Sequence, residues 1–346
     1  MTQIQTLIVD QYGAYVGRHS ERICVTQKRK VLVEAPVLFL EQILIIGDGV
    51  SVSTDAIALC SGQGIPIHYV SRSGTPYASL YAAGLGGTVV TRRAQYEAYH
   101  DRRGVELAVA FVGGKIQNQA RLLKYLGKSR KEKAPQLHEQ LRQAAKETAA
   151  HLGELHGWHE VAVREGLEPQ RGALLSIEGR AAQRYWAGIG LVLPETLKWP
   201  GRVRRGARDP FNAALNYGYA ILYSQIERAI LLAGLDSYAG YIHSDRPGKP
   251  SLVLDMIEEF RAPVVDRAIA AMIGLGEALE QDKEGLLTLS TRRAIADRII
   301  KRLEESTERY ESKRQKLRWI LQSQARHLAS FLRGDRPEYP LFLSGW

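Results

Sequence analysis

Three features of this 346-residue chain predict an α+β fold, a small β-rich N-terminal domain followed by a larger all-α domain. The first is a series of short, β-branched runs between Thr6 and about Tyr81, separated by turn residues. The second is a change beyond Arg92 to apolar residues recurring at three and four. The third is the glycine cluster Gly84, Gly86 and Gly87 at the join, which sets the expected domains at 1–88 and 89–346.

Within the first domain TLIVD, ICVTQ, KVLVEAP, ILIIGDG, PIHYV and PYASLYA read as strands, with Asp48-Gly49 and Ser73-Gly74 as turns. One short helix over 53–61 interrupts them, with Ser53 or Thr54 as N-cap and Gly62 as its stop. In the second domain RRAQYEAYHDRRGVELAVAFVGGKIQNQARLLKYL reads as helix throughout. KSRKEKAPQLHEQLRQAAKETAAHLGELHG carries only a thin apolar stripe and predicts a solvated helix started or broken near Pro135. A helix over 173–187 carries Glu178, Arg180, Arg184, Tyr185 and Trp186. FNAALNYGYAILYSQIERAILLA has the clearest bounds, with Asp209 as N-cap, Pro210 at the first helical position and Gly234 at the stop. A helix over 251–261 presents Asp255 and Glu258 until Pro263 ends or kinks it, and 291–333 reads as amphipathic up to Gly334.

The 47 Lys and Arg outnumber the 37 Asp and Glu, giving a net charge of +10 and a pI near 9.5. Such a balance favours a polyanionic partner such as nucleic acid. Cys24 and Cys60 stand in apolar surroundings, too few for a disulfide framework or zinc knuckle, and are expected to be core thiols in a reducing cytoplasm. No apolar run approaches the roughly 20 residues of a bilayer span, and MTQIQTLIVDQYGAYVG lacks a leader's pattern, so the expected protein is cytoplasmic with no membrane contact.

The candidate chemistry lies in four side chains. Asp255 and Glu258 are three apart on a predicted helix, so both carboxylates share a face, although acidic pairs of this spacing occur on most solvated helices. His243 precedes them in a glycine- and proline-bearing loop from which its ring can reach that helix. Glu178 sits among Ile177, Ala181 and Ala182, where an unpaired carboxylate is costly to desolvate, so a cation or an arginine must compensate it. Glu178, His243 and Glu258 together offer the mixed oxygen and nitrogen donors that hold a divalent cation against a phosphodiester. Between them LKWPGRVRRGARDPFN places Arg202, Arg204, Arg205 and Arg208 ahead of a helix N-terminus, which suits phosphate oxygens. Trp199, Tyr217, Tyr219 and Tyr223 are the candidates for stacking on unpaired bases; the plainer alternative is a solvated basic loop and core aromatics. GGKIQ lacks the spacing and the Ser or Thr of a phosphate loop, and HGWHE matches neither HExxH nor HxxEH and is expected to end the charged helix.

SIEGRAAQRYW, the segment from RRGARDPFN to LVLDMIEEFR, FVGGKIQNQARLLKYL and the closing LRWILQSQARHLASFLRG together resemble CRISPR-associated endonuclease one, the integrase subunit of spacer acquisition. The resemblance covers essentially the whole chain. It implies that the helical domain is catalytic, that the β-rich domain serves dimerisation and partner contacts, and that the chain forms a homodimer assembling with a small ferredoxin-like CRISPR adaptation subunit. It places the metal ligands on Glu178 in SIEG, His243 in GYIH and Glu258 in DMIEEF, with Asp255 as an auxiliary group. The implied cofactor is Mg²⁺ or Mn²⁺. The implied activity is metal-dependent insertion of short foreign DNA into a CRISPR array, on double-stranded and branched DNA. The alternatives are a structure-specific endonuclease acting on branched DNA and a non-catalytic DNA-binding scaffold.

Overall fold

The computed structural model describes residues 4–82, 89–204 and 206–346, and strands come first. They are β1 (Thr6–Val9), β2 (Tyr15–His19), β3 (Arg22–Gln27), β4 (Lys30–Pro36), β5 (Gln42–Ile46), β6 (Ser51–Val52), β7 (Ile67–Val70) and β8 (Pro76–Leu80), with α1 (Thr54–Gly62) between β6 and β7. One sheet has the order β1-β5-β7-β8 and the other β4-β3-β2-β6. In the first, β1, β5 and β7 run parallel, with Leu7 opposite Ile43 and Ile43 opposite Ile67. Parallel strands are covered on both faces, and every residue of β5 is buried. Its alternation divides the core: Ile43 and Ile45 pack with Val16, Val25 and Cys60, while Leu44 and Ile46 pack with the helices. The strand-rich part and the helical part therefore share a sheet as their common wall.

All six expected strands are present, and Ser53 caps α1 by accepting from the Ala56 amide. Two strands are additional. β2 reads YVGRH, too polar to signal a strand, and is recruited by pairing Val16 with Val25 of β3; β6 is only two residues long. Cys60 is buried, which pushes its thiol up to about 11, but Cys24 is half-buried beside Glu34 and is not a core thiol. The glycine joint at 84–87 lies outside the described residues.

The helices are α2 (Val89–Ala98), α3 (Arg102–Lys128), α4 (Pro135–Glu165), α5 (Leu167–Gly190), α6 (Pro210–Leu232), α7 (Ser251–Met256), α8 (Glu258–Phe260), α9 (Arg267–Gly274), α10 (Leu289–Glu304) and α11 (Leu317–Arg333). Asp101 divides the first expected helix in two because its carboxylate accepts from the Arg103 amide and starts α3 there. HGWHE does not end the charged helix: Trp158 is buried and its indole N–H donates to the Gln170 carbonyl at 2.8 Å, tying α4 to α5. α6 matches expectation, with Asp209 accepting from the Asn212 amide at 2.8 Å and Gly234 at φ 81°. Pro263 does not end its helix; the chain widens into a π-helical turn over Arg261–Asp266 and continues as α9. Such wide turns leave a local register slip that absorbs the missing proline amide.

The helical part is not all-α. The expected helix over 291–333 is interrupted by a hairpin of β9 (Thr307–Tyr310) and β10 (Lys313–Lys316), whose two turn residues Glu311 and Ser312 have φ 46° and 66°. Positive φ at both turn positions matches the right-handed strand twist, but Glu-Ser is a poor advertisement for it. After Gly334 the C-terminal segment runs back across α3. Asn118, fully buried, donates to the carbonyls of Glu259 and Phe342 at 2.9 and 2.8 Å and accepts from the Ser344 amide at 2.9 Å. Among the described residues no helix is long and apolar enough to cross a membrane.

Asn118→Ala removes one partner from three buried backbone groups, so the variant is expected to lose at least about 2 kcal/mol of stability. Urea unfolding checks this; an unchanged midpoint would show that the C-terminal segment is held by its aromatic contacts alone.

Candidate active site

Four elements supply the candidate site. α3 supplies Lys115, α5 Glu178, α8 Glu258, and the loop ahead of α7 His243. α3 comes close because Gly114 faces α8: a Cβ there would stand 3.0 Å from Glu259 Cγ. Lys115 is only 5% exposed. Its ammonium donates to Glu178 Oε1 and lies 2.7 Å from Glu258 Oε2. Arg261 holds the other Glu258 oxygen at 3.1 Å. Burial would push the Glu258 carboxyl up, but the charges of Arg261, Lys115 and His243 outweigh it and hold the group at about 2. Glu258 Oε2 has that lysine charge beside it yet no hydrogen bond of acceptable direction.

His243 is aimed by Asp255. The fully buried Asp255 carboxylate accepts the amides of Tyr241, Ile242 and His243 at 2.5, 2.9 and 3.0 Å, and its Oδ1 takes the His243 Nδ1–H at 2.7 Å. In the neutral ring that bond fixes the tautomer and leaves the lone pair on Nε2. The loop can wrap the carboxylate only because residue 240 is glycine: a Cβ there would meet Asp255 Oδ2 at 2.6 Å. Asp255 thus acts through His243 and the loop rather than at the site itself.

Glu178 and Glu258, from distant parts of the sequence, therefore meet at one cation, and His243 lies near enough to bear on the ionisation of Glu258. Among the described residues no three His, Cys, Asp or Glu side chains are close enough to hold a metal ion together, and the Lys115 ammonium lies between the Glu178 and Glu258 carboxylates. The donor set nevertheless fits a divalent ion: two carboxylates already share one positive charge, and the neutral imidazole carries a free ring nitrogen.

The expected DNA-contacting residues divide. Arg204 and Arg208 are exposed ahead of α6, and Arg205 lies outside the described residues. Tyr217 is 1% exposed, so the expectation that it faces DNA is corrected: it points into the core between α6 and its neighbours. Arg202 is also corrected. It is drawn inward by Asn212 Oδ1 at 3.0 Å and Asn216 Oδ1 at 2.7 Å, and lies over the rings of Trp186 and Tyr219. Tyr219 and Tyr185 in turn donate to the buried Asp266, whose carboxyl burial pushes up. Sequence reading missed Lys115. The signal was a lysine among Phe111, Val112, Ile116 and Ala120 on the apolar face of α3, a place a lysine takes only with an anion.

The chain belongs to the family described as CRISPR associated protein Cas1, whose profile matches residues 7–318. It is 38% identical to CRISPR-associated endonuclease Cas1 1 of Archaeoglobus fulgidus, over 98% of this chain and 99% of that one. Its fold matches a casposase bound to integration product, with TM-score 0.78 at 20% identity over 99% and 96% of the two chains. It also matches a chain of a Cas6-RT-Cas1–Cas2 complex, with TM-score 0.75 at 22% identity over 99% of this chain and 36% of that one.

The depressed Glu258 carboxyl gives a directional test. Its folded value of about 2 lies below the ordinary 4.5, so its stabilisation is fully present above pH 4.5 and drains away as pH falls toward 2. Metal-free unfolding curves should show that loss, and Glu258→Gln should flatten it across the same window. Identical slopes in both proteins would mean that Glu258 is not held charged by its neighbours.

Proposed function

We propose that this chain is a divalent-metal-dependent DNA integrase that joins a donor 3′-hydroxyl to a target phosphodiester, inserting short foreign DNA into a CRISPR array. The observation that carries the reading is the convergence of Glu178 and Glu258 on one cation beside an imidazole aimed by Asp255. Glu178, His243 and Glu258 would hold Mg²⁺ or Mn²⁺, and imidazole suits Mn²⁺ at least as well. Bound there, the ion supplies Lewis-acid polarisation of a phosphoryl oxygen.

The chain's own residues do the rest. Arg261 and Lys115 keep Glu258 ionised as a donor, and Asp255 keeps His243 Nε2 available. Exposed Arg204 and Arg208, ahead of the α6 N-terminus, take DNA phosphates. In the reaction a new P–O bond to the donor forms as the target strand's P–O3′ bond breaks; the count of phosphodiesters is unchanged, so no external energy source is needed. With water in place of the hydroxyl the same site cleaves. Double-stranded and branched DNA, a second copy of the chain and a Cas2-type subunit are the proposed partners. The likeness to a casposase bound to integration product and to a Cas1–Cas2 complex supports this reading.

Joining of labelled donor DNA into a repeat-bearing plasmid in Mn²⁺ tests the proposal. Glu178→Ala and His243→Ala should abolish joining with DNA binding nearly intact, and Asp255→Asn should lower it about 10- to 100-fold. Blocking the donor 3′ ends should abolish joined product; retained product would remove the integrase reading, full joining in both alanine variants would remove Glu178 and His243 from the chemistry, and no joining or cleavage by the parent with DNA binding intact would leave a scaffold.

For the arginines, binding rather than chemistry is the readout. Arg204→Ala and Arg208→Ala should each reduce the slope of log affinity against log salt by about 0.9. An unchanged slope would place both side chains in solvent only.

A further inference from the structure

The same two oxygens that would hold a metal already hold Lys115. Its ammonium is buried on α3, bridges Glu178 Oε1 and Glu258 Oε2, and comes from an element that supplies none of the proposed ligands. A lysine so placed is tolerated because its charge is shared between two carboxylates, and the carboxylates are tolerated side by side because of the lysine. A divalent ion bound by those oxygens would need the space Nζ fills. A +1 and a +2 charge a few ångströms apart in a poorly screened interior repel strongly, so both cannot occupy the site.

We propose that Lys115 is a built-in counter-ion which the metal must displace: a positioning residue that keeps Glu178 and Glu258 together in the metal-free protein and lowers metal affinity by competing for their oxygens. This rests on the reading of Glu178, His243 and Glu258 as metal ligands. Displaced from the carboxylates, the ammonium stays tethered to α3 beside the site, where a DNA phosphate is the chemically matched new partner. Metal uptake and DNA binding are then linked, because DNA offers the expelled lysine an anion.

Mn²⁺ titration followed by the electron paramagnetic resonance signal of the free ion tests this without measuring activity. The full-length protein is compared with Lys115→Met and Lys115→Gln, the second serving if the first does not fold, and with Lys115→Arg and Glu178→Gln. Removing the charge should tighten Mn²⁺ binding by about tenfold or more and lower the metal-free melting temperature, with the difference in melting closing as Mn²⁺ is added. Lys115→Arg keeps the charge and should stay near the parent in affinity. Added DNA should tighten Mn²⁺ binding in the parent more than in Lys115→Gln. Equal or weaker Mn²⁺ binding in both neutral variants overturns the counter-ion proposal while the metal reading stands. No uptake by any form, or uptake that Glu178→Gln leaves untouched, overturns the metal reading and this proposal with it.

Discussion

Most of the helical architecture is arranged around a small group of charges taken out of water together. Lys115, Glu178, Glu258 and Arg261 come from α3, α5, α8 and the π-helical turn, and each is bearable at its depth only because the others are there. That mutual requirement fixes how closely three helices approach, and Gly114 lets α3 take its place against α8. Buried opposite charges do not stabilise a fold merely by being paired, since desolvation offsets their attraction. Here they set geometry, and the apolar cluster around Phe111, Tyr185, Phe260 and Leu328 supplies the burial that makes the arrangement affordable.

A second layer stands behind the first. Asp255 spends all its accepting capacity on three successive amides and one ring nitrogen, so a loop from Gly240 to His243 behaves as a rigid mount. Glu259, the residue after Glu258, faces the opposite way, where Gln324, Tyr339 and the Phe342 amide donate to it and burial pushes its carboxyl up to about 7. Adjacent carboxylates thus have different work: one faces the site, the other anchors the chain's C-terminal segment.

Much of this was legible from residues alone. Strand and helix identities followed from periodicity, and α6 was bounded by Asp209, Pro210 and Gly234 because capping chemistry is local. Glu178 stood out since a carboxylate among apolar neighbours demands a partner, and His243 and Asp255 since a loop histidine preceded a carboxylate helix. What escaped was what tertiary contact decides. β2 exists through its pairing with β3, the hairpin of β9 and β10 through a tight turn at Glu311 and Ser312, and the partners of Lys115 through a meeting of helices, although its place on the apolar face of α3 already called for an anion. Tyr217 and Arg202 went wrong for a related reason: an aromatic or an arginine near a basic loop looks surface-bound until the facing wall is known.

The widened turn over Arg261–Asp266 has a consequence for how the sequence can vary. It carries one more residue than an α-helical path over the same span would, so losing a single residue there would let the chain relax into ordinary helix while everything downstream keeps its face. Ala268, Ile269 and Met272 would stay turned to the core, whereas a second deletion would rotate them by about 100° and swing them toward water. The segment can therefore shorten by one residue, but not by two, without turning that face outward.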